Sequence, residues 1–280
     1  MTNRDYTLWA ACVRTKSFEE RLKAAHAGNL NRMTIFPLDV KTFTEGGLSY
    51  ADMRHMIADS GVKVITLDPF TRWTPHWQPP EGTSEDDLAF VDFDEDTFFR
   101  IADELRVDTI NLIETFGNDL SVEEGAENFA RVCDRARDYG WRVHLEFMPF
   151  SSVPDLATAW EIVQLANRDN GGITLDTWHY YRGNPDHELL RTIPGEKIFA
   201  LQVADADEEV KGDLQNDLLH FRKAPGEGDF DLATVINILA ETGGLNSVGV
   251  EVFADAFDEL SAVEAGERAG ESLRGILANL

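Results

Sequence analysis

Short apolar runs alternate along the chain with stretches in which apolar residues recur at every third or fourth position. The runs at 6–13 (YTLWAACV), 33–37 (MTIFP), 62–69 (VKVITLDP) and 108–115 (DTINLIET) read as buried β-strands. So do those at 141–148 (WRVHLEFM), 171–177 (GGITLDT), 197–204 (KIFALQVA) and 247–253 (SVGVEVF). Between them, segments such as SFEERLKAAHAGN, DEDTFFRIADELRV and VEEGAENFARVCDRARDYG have helical spacing, with Ser or Asp at several starts and Gly or Asn at several ends. Eight strand-then-helix units predict an α/β fold, a single (β/α)8 barrel spanning residues 1–280. A doubly wound sheet is the alternative. No G-x-G-x-x-G follows the first strand, and no P-loop occurs. Two connections are long, 71–92 and 205–229. Each follows a strand and precedes a helix, which places both on the C-terminal face, where active sites of such barrels form.

A parallel strand is covered on both faces, so a charged or amide side chain within it is costly unless paired or metal-bound. Each of the last four strands carries one near its C-terminal end: Glu146, Asp176, Gln202 and Glu251. Singly, each has a plain alternative. Glu146 could face solvent at a proline turn, Asp176 could cap a short helix, Gln202 could bond a neighbouring backbone, and Glu251 could pair with an arginine. Their shared level on successive strands points instead to one site for a divalent ion. Three carboxylates and an amide oxygen are hard donors, which favour Mn2+ or Mg2+ over Zn2+. Without an ion, three converging carboxylates repel, and some should hold protons above the ordinary range. His144 reads as a polar residue of the barrel interior, and Glu114 as a pocket-lining carboxylate. Trp73 and Trp77, in the aromatic stretch PFTRWTPHWQPP, could pack as a small core of their own loop or wall the pocket, and the wall is the expectation taken here.

Composition narrows the functional classes. The 280 residues are 43% hydrophobic, enough for a large core, and the formal net charge is −26. Such a charge repels phosphate backbones and anionic lipid, so neither nucleic acid nor a membrane is an expected partner. No run of about 18 apolar residues is present. The start, MTNRDYTLWAACV, lacks the pattern of a secretory leader. The only cysteines, Cys12 and Cys133, fall in an expected strand and an expected helix and read as small core residues. That usage fits a cytoplasmic protein and argues against a cysteine-based zinc site.

With these residues in place, the chain resembles the sugar phosphate isomerase/epimerase superfamily, the xylose isomerase-like barrels. That group includes ketose 3-epimerases, hydroxypyruvate isomerase, inosose dehydratase and, more distantly, endonuclease IV. Strand order carries the likeness over nearly the whole chain, and specific motifs carry it in the C-terminal half. The family's Glu, Asp, His-or-Gln and Glu ligands fall on Glu146, Asp176, Gln202 and Glu251. An Asp-x-x-His element falls on Asp176 and His179, and an arginine ahead of a P-G-x-G turn falls on Arg222. Gln202 stands where ketose 3-epimerases have histidine.

The resemblance implies an isomerase or epimerase of a keto-sugar or related polyol, working through an enediolate with a divalent metal. Glu146 and Glu251 would be the acid–base pair, and His179 and Arg222 would contact substrate, the plain alternatives being a capping or supporting histidine and a surface arginine in a loop. It also implies a homodimer. A metal-dependent dehydratase of an inosose-like or 3-keto sugar is the nearest rival. A DNA-repair endonuclease fits poorly with seven histidines and a charge of −26. A non-catalytic sugar-binding barrel would be expected to lack a ligand, and none is missing.

Overall fold

The structure, a computed structural model, describes residues 5–278. Its strands are β1 (Tyr6–Leu8), β2 (Arg32–Ile35), β3 (Lys63–Phe70), β4 (Thr109–Ile113), β5 (Arg142–Glu146), β6 (Gly171–Asp176), β7 (Ile198–Val203) and β8 (Val248–Val250). They pair in chain order, all parallel, and β8 closes on β1 to complete the barrel. Helices follow the strands, and many open on side-chain caps. Ser17, Ser49, Ser121 and Ser261 each form a reciprocal capping box with an acidic residue three positions on.

Two expectations change in detail. The first run stops being a strand at Leu8, and Ala10–Val13 form a 3-10 turn. The Trp9 amide still reaches the Val250 carbonyl at 3.0 Å, but the Ala10 amide donates to Thr34 Oγ1 at 2.9 Å, and the chain leaves the sheet there. Cys12 therefore lies in this turn, not in a strand. The long connections also carry short helices, Glu85–Val91 and Leu214–His220. Ser84 and Asp213 accept amide hydrogens of Asp87 and Asn216 and start them.

The outward face of the strands is apolar. Ile110, Leu112, Val143, Leu145, Ile173, Leu175, Leu201 and Val203 are buried in the main hydrophobic core together with helix residues such as Phe129, Ile162 and Leu239. Strand side chains alternate in direction, so the intervening positions point into the barrel. Those positions hold Thr66, Asn111, His144, Thr174 and Gln202, all buried. The apolar core is thus a shell between barrel and helices, and the barrel interior is a polar column leading to its mouth.

Where the ring closes, helix Phe18–Ala27 meets helix Ala262–Leu277 at backbone contact distance. A Cβ added at Gly266 would lie 1.9 Å from the Ala24 carbonyl oxygen. Gly266→Val should therefore force these helices apart and destabilise the protein by about 1–3 kcal/mol or more. Chemical denaturation checks this, and unchanged stability would mean that the helices can separate freely.

Candidate metal centre

The barrel mouth is assembled from strand ends. Glu146 closes β5, Asp176 closes β6, Gln202 lies one residue before the end of β7, and Glu251 follows β8 directly. Asp176 pairs with Gln202 in the ladder, Gln202 with Gly249, and Glu146 with Thr174. This stagger belongs to a tilted barrel and brings side chains at different ladder positions to one depth. All four residues are buried.

Asp176 has two tasks. Its Oδ1 accepts the His179 amide at 3.0 Å and caps the short helix Thr177–Arg182. Its Oδ2 accepts from Arg222 at 2.7 Å, and the same Arg222 nitrogen donates to Glu251 Oε2 at 3.2 Å. The helix turn in turn directs the His179 ring to Glu146, with Nε2 3.4 Å from Oε1. One ligand atom each from Glu146, Asp176 and His179 lie within 4.8 Å of one another. Gln202 Nε2 donates to Glu251 Oε1 at 3.1 Å, while its buried Oε1 has no partner among the described residues.

Arg222 reaches this point from the connection after β7. That segment is tied down by bridges of Asp205 to Lys223 and of Phe221 to Ala254, and the Arg222 amide donates to the Phe253 carbonyl at 3.2 Å. The guanidinium lies over the Trp178 and Phe253 rings, 5.2 and 5.3 Å from their centroids. Trp178 is fixed by donating to the buried Asp217 at 2.9 Å.

The electrostatics follow from crowding. Burial above all, with repulsion from Glu146 and Asp176, pushes Glu251 well above its ordinary carboxylate range, against the pull of Arg222. Burial would also push Asp176 up, but Arg222 and then His179 outweigh it and hold Asp176 below that range. Burial and the charge of Glu146 push Asp68 well up. One guanidinium leaves the negative charge undermatched. That excess, the unpartnered amide oxygen of Gln202 and the hard donor set together fit a divalent cation.

Two residues of this network were missed in the sequence. Asp68, near the end of β3, lines the mouth, and Asn111 of β4 links it to Glu146. Asn111 Nδ2 donates to Asp68 Oδ1 at 2.7 Å and to Glu146 Oε2 at 2.5 Å. Both were detectable by the rule that singled out the other four, a polar side chain within a buried strand. His144 is an interior residue, as expected. Its Nδ1 lies 3.0 Å from Thr174 Oγ1, whose hydroxyl donates to Asn111 Oδ1 at 2.9 Å, so His144 must carry its proton on Nδ1. Burial, then Arg142, lowers its pKa to about 3, so the ring is neutral.

Three expected pocket residues are not brought to the mouth. Trp73 is buried in the core and donates to the Ile113 carbonyl at 2.9 Å. Trp77 donates to Thr71 Oγ1 at 3.1 Å and packs its edge on Phe116. Glu114 accepts four backbone amides, from Phe116, Gly117, Asn118 and Ser152, and so organises the loop after β4. The mouth opens into a cavity of about 1060 Å³, whose aromatic wall is Phe36, Phe90, Phe116, Phe150 and Phe253. Both cysteine thiols are pushed up by burial to about 12 and are unreactive core groups.

The family model for xylose isomerase-like TIM barrels matches residues 23–278. The chain is 29% identical over 265 residues to 3-dehydroshikimate dehydratase of Pseudomonas aeruginosa, spanning 92% of this chain but 39% of that protein. It is 35% identical over 136 residues to inosose isomerase of Bacillus subtilis, 48% of each chain. A crystal structure of the IOLI protein with a binding zinc atom superposes with a TM-score of 0.83 at 21% identity, covering 99% of each chain. No helix among the described residues is long and apolar enough to cross a membrane.

Two predictions follow from the charge balance. Cation binding must displace any proton on Glu251, so affinity for Mn2+ should rise with pH until the raised pKa of Glu251 is passed and level off above it. Calorimetric titration in buffers of different ionisation enthalpy should show proton release, and pH-independent affinity would remove Glu251 from the ligand set. Asp176→Ala takes away a helix cap and the closest partner of a buried arginine. It should cost about 3–5 kcal/mol of stability, measured by denaturant unfolding, and abolish Mn2+ binding.

Proposed function

Because the chain belongs to the xylose isomerase-like TIM barrel family, we propose that it is a divalent-metal-dependent isomerase or epimerase of a keto-sugar or related polyol. The observation that carries this reading is the convergence of two carboxylates, Glu146 and Glu251, with Arg222 and His179 at one buried point under a cavity. The holding residues are Glu146, Asp176, Gln202 and Glu251, a set that favours Mn2+ or Mg2+ over Zn2+. The metal, when bound, supplies Lewis acidity that polarises a substrate carbonyl.

The chain's own residues do the rest. Glu146 or Glu251 removes the proton from the carbon next to the carbonyl, and the other returns one to the opposite face or to the adjacent carbon. Arg222, packed against two aromatic rings, faces the oxygen on which negative charge develops. His179 holds a second substrate oxygen.

Dehydration is the second reading. The 265-residue similarity to the Pseudomonas dehydratase favours it, and it begins with the same proton removal. This chain spans 39% of that protein, so the activity cannot simply be carried across.

Incubation in deuterium oxide with Mn2+ and either an inosose or 3-dehydroshikimate distinguishes the two. Isomerase chemistry predicts deuterium at a carbon with no loss of mass as water, and dehydration predicts that loss. Glu146→Gln should slow exchange by about 10²–10⁴-fold. Absence of exchange with a panel of keto-polyols in Mn2+, Mg2+ and Zn2+ would end the reading. His179→Ala leaves all four holding residues in place. Metal affinity measured by calorimetry should survive, while kcat and kcat/KM fall together.

A further inference from the structure

The cavity over the barrel mouth has two kinds of wall. One is polar, with Glu146, His179, Arg222 and Glu251, the groups of the reacting end. From there an aromatic path leads away. Phe253, two residues beyond Glu251, has its ring centroid 5.3 Å from the Arg222 guanidinium. It stacks on Phe36 at 6.1 Å, and Phe36 meets Phe90 edge to face at 4.9 Å. Phe36 follows β2 directly, and Phe90 stands on the helix Glu85–Val91 in the connection after β3. The path therefore runs from the β8 end of the mouth across to that connection. Phe116 and Phe150, from the connections after β4 and β5, line the same cavity.

These rings are more than an outer layer of core. Phe90, Phe116, Phe150 and Phe253 each stay partly exposed, and each borders the cavity. Apolar rings left partly uncovered around one cavity mark a place that an apolar group covers on binding. Several polar side chains at the rim are turned to their own neighbours: Arg14 to Asp258, Asp39 to Arg21, and Asp87 to Ser84. The cavity volume of about 1060 Å³ lies at the top of the range for sites that enclose drug-sized molecules. A single sugar ring held at the metal end would leave the aromatic end unfilled. Hydroxyls pressed against phenyl rings would lose their water partners and gain none, whereas a flat apolar group has no such cost there.

We propose that the ligand of this site is amphipathic, a keto-polyol head held at the carboxylates and joined to a flat apolar group covered by Phe90, Phe116, Phe150 and Phe253. The proposal deepens the reading above and rests on it for the polar head. The apolar subsite is carried by the rings themselves.

The test is binding, separate from turnover. The Mn2+-loaded protein is titrated calorimetrically with phenyl β-D-glucopyranoside and with methyl β-D-glucopyranoside, which share a polar head and differ in the apolar group. The wild type should bind the phenyl glycoside about 10-fold or more tightly than the methyl one, as burial of a phenyl ring predicts. Its binding should also carry the more negative heat-capacity change, the mark of apolar burial. Phe90→Ala and Phe150→Ala should each cut the preference by about 5-fold. Their affinity for Mn2+ should change by less than about 2-fold, since neither supplies a donor to the ion. Equal affinity for the two glycosides, or binding of neither, overturns the proposal, and this wild-type comparison decides it even where a variant unfolds. Folded variants that both keep the full wild-type preference overturn it as well. Absence of deuterium exchange would fall on the reaction reading alone, because the preference between the two glycosides does not depend on proton transfer.

Discussion

The guanidinium of Arg222 lies between Asp176 and Glu251, 2.7 and 3.2 Å from their oxygens, where no part of it meets solvent. Charges so deeply buried are tolerated only in matched and hydrogen-bonded sets. Around this contact the local architecture is arranged. Two aromatic rings hold the arginine, Asp217 holds one of those rings, and two bridges hold the loop that delivers it. Loosening any of them would leave carboxylates buried without a counter-charge.

The polar column inside the barrel serves the same end. A hydrophobic interior would have left Glu146 and Asp68 surrounded by groups unable to hydrogen-bond. Instead His144, Thr174 and Asn111 form a chain in which each bond settles the next: Thr174 fixes the tautomer of His144, and Asn111 orients two acids. The stability that such an interior forgoes comes from the apolar shell between strands and helices. The division of labour leaves the inside of the barrel free for chemistry.

The excess of acid at the mouth bears on what the site can accept. It favours a divalent cation among the carboxylates of the barrel mouth. The strongly negative surface has a different origin in part. Several acidic residues are helix caps or first-turn residues, as at Glu20, Asp52, Glu124 and Glu264, where backbone amides stabilise them.

The sequence by itself determined the barrel, its eight strands and the level of Glu146, Asp176, Gln202 and Glu251. These features come from short-range patterns, the alternation of apolar runs with helical spacing and the cost of a polar side chain in a covered strand. Asp68 and Asn111 obeyed the same rule, but a single polar residue within a strand also fits a structural hydrogen bond, and only the closed barrel shows that they meet Glu146. Tertiary structure alone decided the loops. Trp73 and Trp77 looked like pocket walls because aromatic residues in a loop can face either way, and packing turned Trp73 into the core and Trp77 against Phe116. Glu114 looked like a pocket carboxylate until four amides of its own loop and the next closed on it. Arg222 gained its place from contacts with residues 46 and 29 positions away, a pairing that no local pattern encodes.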